Sequence, residues 1–283
     1  MNEVACNAAP APAMRGPNDY KSDVKPVWCP GCGDFGVVNA LAKAMAKMAL
    51  EPKDVAVVSG IGCSSRIPAY MASYGFHGVH GRALAAGTGL KVARPDLTVI
   101  VTGGDGDGYS IGGNHFLHAC RRNVDMTYIV MDNRVYGMTK GQPSPTTETH
   151  WTSKLAPHGT GVNEFHPMAI ALAAGANFIA RGFTGDPNGL ADILVEGITT
   201  PGFSFIEVLS PCVTFRPEQK EWKKMVRTGN LSSTADLSLA ARQVYEDDGM
   251  NLGVLYAGDR PPYRPPVGVA ARTVAELEAQ FSI

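Results

Sequence analysis

Short apolar runs alternate with stretches of helical periodicity along most of this chain. Asp34 to Leu50 carries Val37, Val38, Leu41, Met45 and Met48 at helical spacing. Val55 to Val58 then reads as a buried strand that ends in Ser59-Gly60-Ile61-Gly62-Cys63. A short helix near Ile67 to Tyr74, a short strand near Gly78 to His80 and a helix from Ala83 to Ala93 follow. Strands at Leu97 to Val101 and Met126 to Met131 flank a helix from Ile111 to Arg122. Beyond a long gap come a helix at Pro167 to Ala174, a strand at Ala176 to Arg181, a helix at Asn188 to Thr199 and a strand at Ser204 to Leu209. This order predicts one doubly wound α/β domain over residues 24–214, with a mostly parallel sheet and right-handed crossovers.

Three stretches break the pattern. Residues 1–23 are rich in Ala and Pro and read as a flexible N-terminal tail. Thr139 to Phe165 has no periodicity, and a loop that long tends to cover a site or wrap a neighbour. Residues 215–283 are polar and proline-rich, with helices expected near Pro217 to Arg227, Leu237 to Asp248 and Thr273 to Phe281. Too little apolar surface is present there for a separate core, so an extended arm on the domain or on a partner subunit is expected.

Composition narrows the class. The 283 residues are 45% apolar and 18% charged, enough for one large core, and a net charge of −1 gives no general attraction to nucleic acid. No apolar run is long enough for a membrane span and no secretory leader is read, so a cytoplasmic protein is expected. In that setting the six cysteines are ligands, redox groups or core thiols sooner than structural disulfides.

The chemistry concentrates where strands end. Gly104-Asp105-Gly106 follows one strand, and Asn133 follows the next. Strand C-termini in a parallel sheet are where phosphates and their cations bind, and a hard ion such as magnesium takes oxygen ligands. Cys29-Pro30-Gly31-Cys32 is the only C-x-x-C, while Cys63 and Cys212 each follow a strand-like run. Four thiolates suit an iron-sulfur cluster; a zinc site, a redox pair or a structural role stay open. Cys120 reads as a core thiol, and Cys6 lies in the tail. Gly31 to Gly36 also satisfies G-x-G-x-x-G, but no strand precedes it as a dinucleotide site requires.

Gly-Asp-Gly with its downstream Asn resembles the diphosphate-binding segment of thiamine diphosphate enzymes. Trp-Cys-Pro-Gly-Cys-Gly at 28–33, Gly-Ile-Gly-Cys-Ser-Ser-Arg at 60–66, His-Gly-Arg at 80–82, Gly-Gly-Asp-Gly-Asp at 103–107 and the run from Asp132 to Gln142 extend the likeness. Together they resemble the β subunit of a 2-oxoacid:ferredoxin oxidoreductase, nearest the 2-oxoglutarate type. The resemblance implies that Cys29, Cys32, Cys63 and Cys212 hold a four-iron four-sulfur cluster. It implies magnesium ligands at Asp105, Asn133 and the carbonyl of Val135, and diphosphate contacts at Gly106, Asp107 and Thr139. Gly62, His80, Gly104, Tyr136, Gly137 and Met138 complete the implied cofactor-binding set, and Arg66 is the basic group near the substrate. The implied reaction is oxidative decarboxylation of 2-oxoglutarate with coenzyme A to succinyl-CoA and carbon dioxide, electrons passing to ferredoxin, with carboxylation as its reverse. An α subunit is expected to supply the activating glutamate and most coenzyme A contacts. A pyruvate-specific enzyme and a non-oxidative decarboxylase or synthase subunit are the alternatives.

Overall fold

The computed structural model describes residues 15–264 and 273–281. Eight strands form one sheet: β1 (Val55–Ser59), β2 (Tyr74–His77), β3 (Thr98–Gly104), β4 (Met126–Asp132), β5 (Phe178–Phe183), β6 (Phe203–Leu209), β7 (Arg227–Thr228) and β8 (Asn251–Ala257). Their order is β2-β1-β3-β4-β6-β5-β8-β7, and the six strands from β2 to β5 in that order are parallel. The α-helices are α1 (Asp34–Lys47), α2 (Ala83–Ala93), α3 (Gly113–Arg122), α4 (Pro167–Ala174), α5 (Pro187–Thr199), α6 (Trp222–Met225), α7 (Leu237–Glu246) and α8 (Val274–Phe281).

The central strands are apolar on both faces because both faces are covered. Ile100, Ile129, Ile206 and Val208 point to one side, where they meet Val37 and Leu41 of α1 and Leu190 and Leu194 of α5. Val101, Tyr128, Val130 and Phe205 point to the other, against Leu84 of α2, Phe116 of α3 and Met168 of α4. Cys120 is fully buried in that second layer, as its helical position predicts.

Several elements differ from the expected ones. Ser64–Tyr70 forms a 3-10 helix containing Pro68, which cannot continue an α-helix. The second strand occupies Tyr74–His77, before the Gly78–His80 expected, and all its residues are exposed, so no buried face marks it in the sequence. Residues 17–20 form a 3-10 turn in which Tyr20 is 1% exposed and donates to the Leu50 carbonyl, so packed backbone begins inside the stretch read as a tail. Cys6 lies outside the described residues. After residue 214 the chain adds strands as well as helices: β8 pairs antiparallel with β5 and α7 packs on α4. A register shift between Ile179 and Ala180 lets Leu252 and Leu255 both be buried, which destroys the two-residue alternation a strand search relies on. Among the described residues no helix is long and apolar enough to cross a membrane.

Candidate active site

Strand β3 delivers Asp105 and β4 delivers Asp132 and Asn133 to neighbouring positions, since Gly104 pairs with Met131 in parallel register. Asp105 is 3% exposed, and its Oδ2 accepts from Ser144 Oγ at 2.5 Å and Thr146 Oγ1 at 3.1 Å. Thr146 Oγ1 lies 2.7 Å from Oδ1 of Asp132, so one hydroxyl proton stands between two buried carboxyl groups. Burial pushes both up, Asp132 to about 7, and the charge of Asp105 adds to the rise at Asp132. Carboxylates so placed suit a hard cation, whose charge offsets their desolvation.

The chain leaves β3 through a π-helical turn, Gly106–Ile111. A methyl at Gly106 would lie 2.1 Å from Cε1 of Tyr136, and one at Gly104 would lie 2.9 Å from Ser64 Oγ, so backbone approaches closely here. Tyr136 in turn donates to the Gly106 carbonyl at 3.2 Å. After β4 the backbone turns sharply: Asn133 Oδ1 accepts from the Val135 amide at 3.1 Å, and Arg134 has φ of 55°. Such a turn presents consecutive peptide groups and a carboxamide to one place. Val135 is buried, whereas Met138 and Thr139 are exposed, and Thr139 Oγ1 reaches back to the Tyr136 carbonyl at 3.4 Å.

Asp107 serves the scaffold. Its Oδ1 accepts from the amides of Ile61 at 3.0 Å and Gly81 at 2.8 Å, and lies 2.5 Å from His80 Nδ1. One buried carboxylate thereby gathers the Gly62 loop and the His80 loop beside Asp105. Arg66, four residues past Gly62, is half-buried; its amide donates to the Cys63 carbonyl at 3.2 Å, and its guanidinium has no hydrogen-bonding or ion-pair partner among the described residues.

The four cysteines come from three segments that pack together. Cys29 to Cys32 forms a turn closed by the Cys32 amide on the Cys29 carbonyl at 3.0 Å, with Gly31 at φ 83°. The Gly33 amide donates to the Pro211 carbonyl at 3.0 Å, and a methyl at Gly33 would sit 2.5 Å from Ser210 Oγ. Trp28 Nε1 donates to the Cys63 carbonyl at 2.8 Å, which draws in the third segment. Burial pushes Cys63 up to about 11 and raises Cys32 and Cys212, and each of these thiols also feels the charge of other cysteines in the set. No three His, Cys, Asp or Glu side chains among the described residues converge as they would on a single ion. Thiols on three packed segments, Cys29 exposed and the other three half-buried, spread wider than a one-metal site and would suit a polynuclear cluster.

The two groups of residues adjoin. A methyl at Gly137 would stand 3.6 Å from Cys212 Sγ. Sequence reasoning missed Gln219, which bonds both groups, and the side chains that gather on Asp105. Gln219, Ser144, Thr146 and Asp132 act on partners remote in sequence, and only the hydroxyl-rich run Ser144 to Thr147 gave any signal.

Residues 60–208 match the C-terminal thiamine pyrophosphate-binding domain of thiamine pyrophosphate enzymes. The 2-oxoglutarate oxidoreductase subunit KorB of Mycobacterium tuberculosis is 45% identical over 197 residues, which are 70% of this chain and 53% of that protein. Subunit beta of 2-oxoacid:ferredoxin oxidoreductase 1 from Aeropyrum pernix is 40% identical over 257 residues, covering 91% of this chain and 81% of its own. The solved 2-oxoglutarate:ferredoxin oxidoreductase of Magnetococcus marinus, with 2-oxoglutarate, coenzyme A and succinyl-CoA bound, superposes with a TM-score of 0.82 at 39% identity, over 94% of this chain and 89% of that one.

Proposed function

Because the chain belongs to the β subunits of the thiamine diphosphate-dependent 2-oxoacid:ferredoxin oxidoreductases, we propose that it serves the 2-oxoglutarate reaction in particular. 2-Oxoglutarate and coenzyme A yield succinyl-CoA, carbon dioxide and a proton, and two electrons leave for two ferredoxins. When bound, thiamine diphosphate supplies a nucleophilic carbon and an electron sink, and a four-iron four-sulfur cluster supplies a one-electron relay.

This chain's residues do the rest. Asp105, Asn133 and the Val135 carbonyl hold magnesium, and the close backbone at Gly104 and Gly106 admits the diphosphate, with Gly137 beside Cys212. Asp107 and His80 hold the loops that wall the site, and Arg66 grips the distal carboxylate of a dicarboxylic substrate with parallel hydrogen bonds. Cys29, Cys32, Cys63 and Cys212 bind the cluster. An α subunit brings the glutamate that activates the cofactor and most contacts to coenzyme A, and ferredoxin takes the electrons.

The observation that supports this reading is the contact between the Cys212 segment and the turn after Asn133, which brings a proposed cluster ligand beside the proposed diphosphate site. The complex with an α subunit, purified without oxygen, should be brown, with iron, acid-labile sulfide and thiamine diphosphate in stoichiometric amounts. Zinc in place of iron, or cofactor without iron, rejects the oxidoreductase reading.

A further inference from the structure

Gln219 belongs to neither set of liganding residues, yet it touches the backbone of both. It sits in a 3-10 turn, Pro217–Glu221, and is 1% exposed. Its Nε2 donates to the Asn133 carbonyl at 2.7 Å, and its Oε1 accepts from the Cys212 amide at 2.8 Å. A backbone carbonyl only accepts and a backbone amide only donates, so the carboxamide has one permitted orientation. No other uncharged side chain of this length offers a donor and an acceptor on adjacent atoms.

The surroundings make the bridge rigid. Arg216, one helical turn earlier, is 3% exposed and donates through Nη1 to the Arg134 carbonyl at 3.1 Å, while its own amide bonds the Cys212 carbonyl at 2.8 Å. Its guanidinium also bonds Glu148 and lies 4.4 Å over the ring of Trp151. The carbonyls of Asn133 and Arg134 therefore hang from a single turn that begins just after Cys212. The Cys212 and Asn133 segments are linked through one buried amide, with backbone bonds on both sides.

We propose that Gln219 is a positioning residue that sets the placement of the Cys212 thiolate relative to the metal-binding turn. The proposal rests on the reading of the two cofactor sites given above. Electron transfer weakens steeply with separation, so a residue that spaces donor from acceptor acts on the reaction without touching either. Binding at one site is then felt at the other through Gln219.

Two variants of the full chain, purified anaerobically in the assembly in which it is isolated, test this. Gln219→Glu keeps the acceptor for Cys212 but sets an oxygen against the Asn133 carbonyl; Gln219→Met keeps the volume and removes both bonds. Each is expected to raise the dissociation constant for magnesium thiamine diphosphate at least about tenfold, the effect of unpairing one buried group in Gln219→Glu and two in Gln219→Met. Each also shifts the electron paramagnetic resonance spectrum of the reduced cluster at unchanged iron and sulfide content. Variants with cooperative melting, wild-type affinity and a wild-type spectrum overturn the proposal. If neither variant folds, the wild-type protein decides: adding magnesium thiamine diphosphate alters the spectrum of its reduced cluster, and an unaltered spectrum overturns the proposal. A wild-type protein without iron rejects the cluster reading and this proposal with it, whereas an intact cluster with unmoved variants rejects this proposal alone.

Discussion

Arg66 illustrates what a single residue contributes when its charge is left uncommitted. With no carboxylate on it among the described residues, its guanidinium is available to a ligand. Replacing it with Gln should raise the KM for 2-oxoglutarate several-fold, and that for pyruvate much less, in steady-state assays with both acids. Equal changes would remove the reason for choosing the dicarboxylate. Gly106→Ala makes a different demand, because the added methyl would meet the Tyr136 ring at 2.1 Å. Calorimetric titration should show thiamine diphosphate binding lost while the melting transition persists. That Asp105 and Asn133 would lie side by side, and that the cysteine segments would pack together, was legible in the sequence because each follows a strand end or a tight turn. Gln219 was not, since an amide that bonds two distant peptide groups leaves no local pattern. Asp107 was expected as a diphosphate contact, whereas in the fold its carboxylate is spent on Ile61, Gly81 and His80.

Between elements, a buried polar tie lies on Arg181. It is buried in β5, bonds Glu207 of β6 at 2.7 Å, and pairs with Asp247 ahead of β8. Those two carboxylates hold the guanidinium well above its ordinary range against the opposing effect of burial. Arg181→Met would leave two buried carboxylates uncompensated and should cost about 3–5 kcal/mol in denaturant unfolding. A loss near zero would mean that water reaches the carboxylates. The central strands were readable because coverage on both faces makes them continuous apolar runs. Strand β8 was hidden by its bulge, and β2 by its exposure, so each failed for a tertiary reason and not for want of β-forming residues. The expected helix at Ile67 to Tyr74 failed at Pro68, which the 3-10 geometry accommodates.

For the molecule as a whole, one α/β layer system gathers the proposed metal and cluster residues at neighbouring strand ends, and no second such system is present among the described residues. The purified chain alone should therefore bind magnesium thiamine diphosphate weakly and fail to turn over substrate, with both recovered on adding an α subunit. Full turnover by the isolated chain would refute the division of labour. The edges of the sheet carry a further consequence. At one margin β2 leaves Tyr74 at 58% and Phe76 at 55% exposure, with one side of its peptide ladder unclaimed among the described strands. An unprotected margin of that kind recruits other copies. Produced without a companion, the chain is expected to scatter light increasingly as it is concentrated, and a lysine in place of Phe76 should keep such a preparation clear.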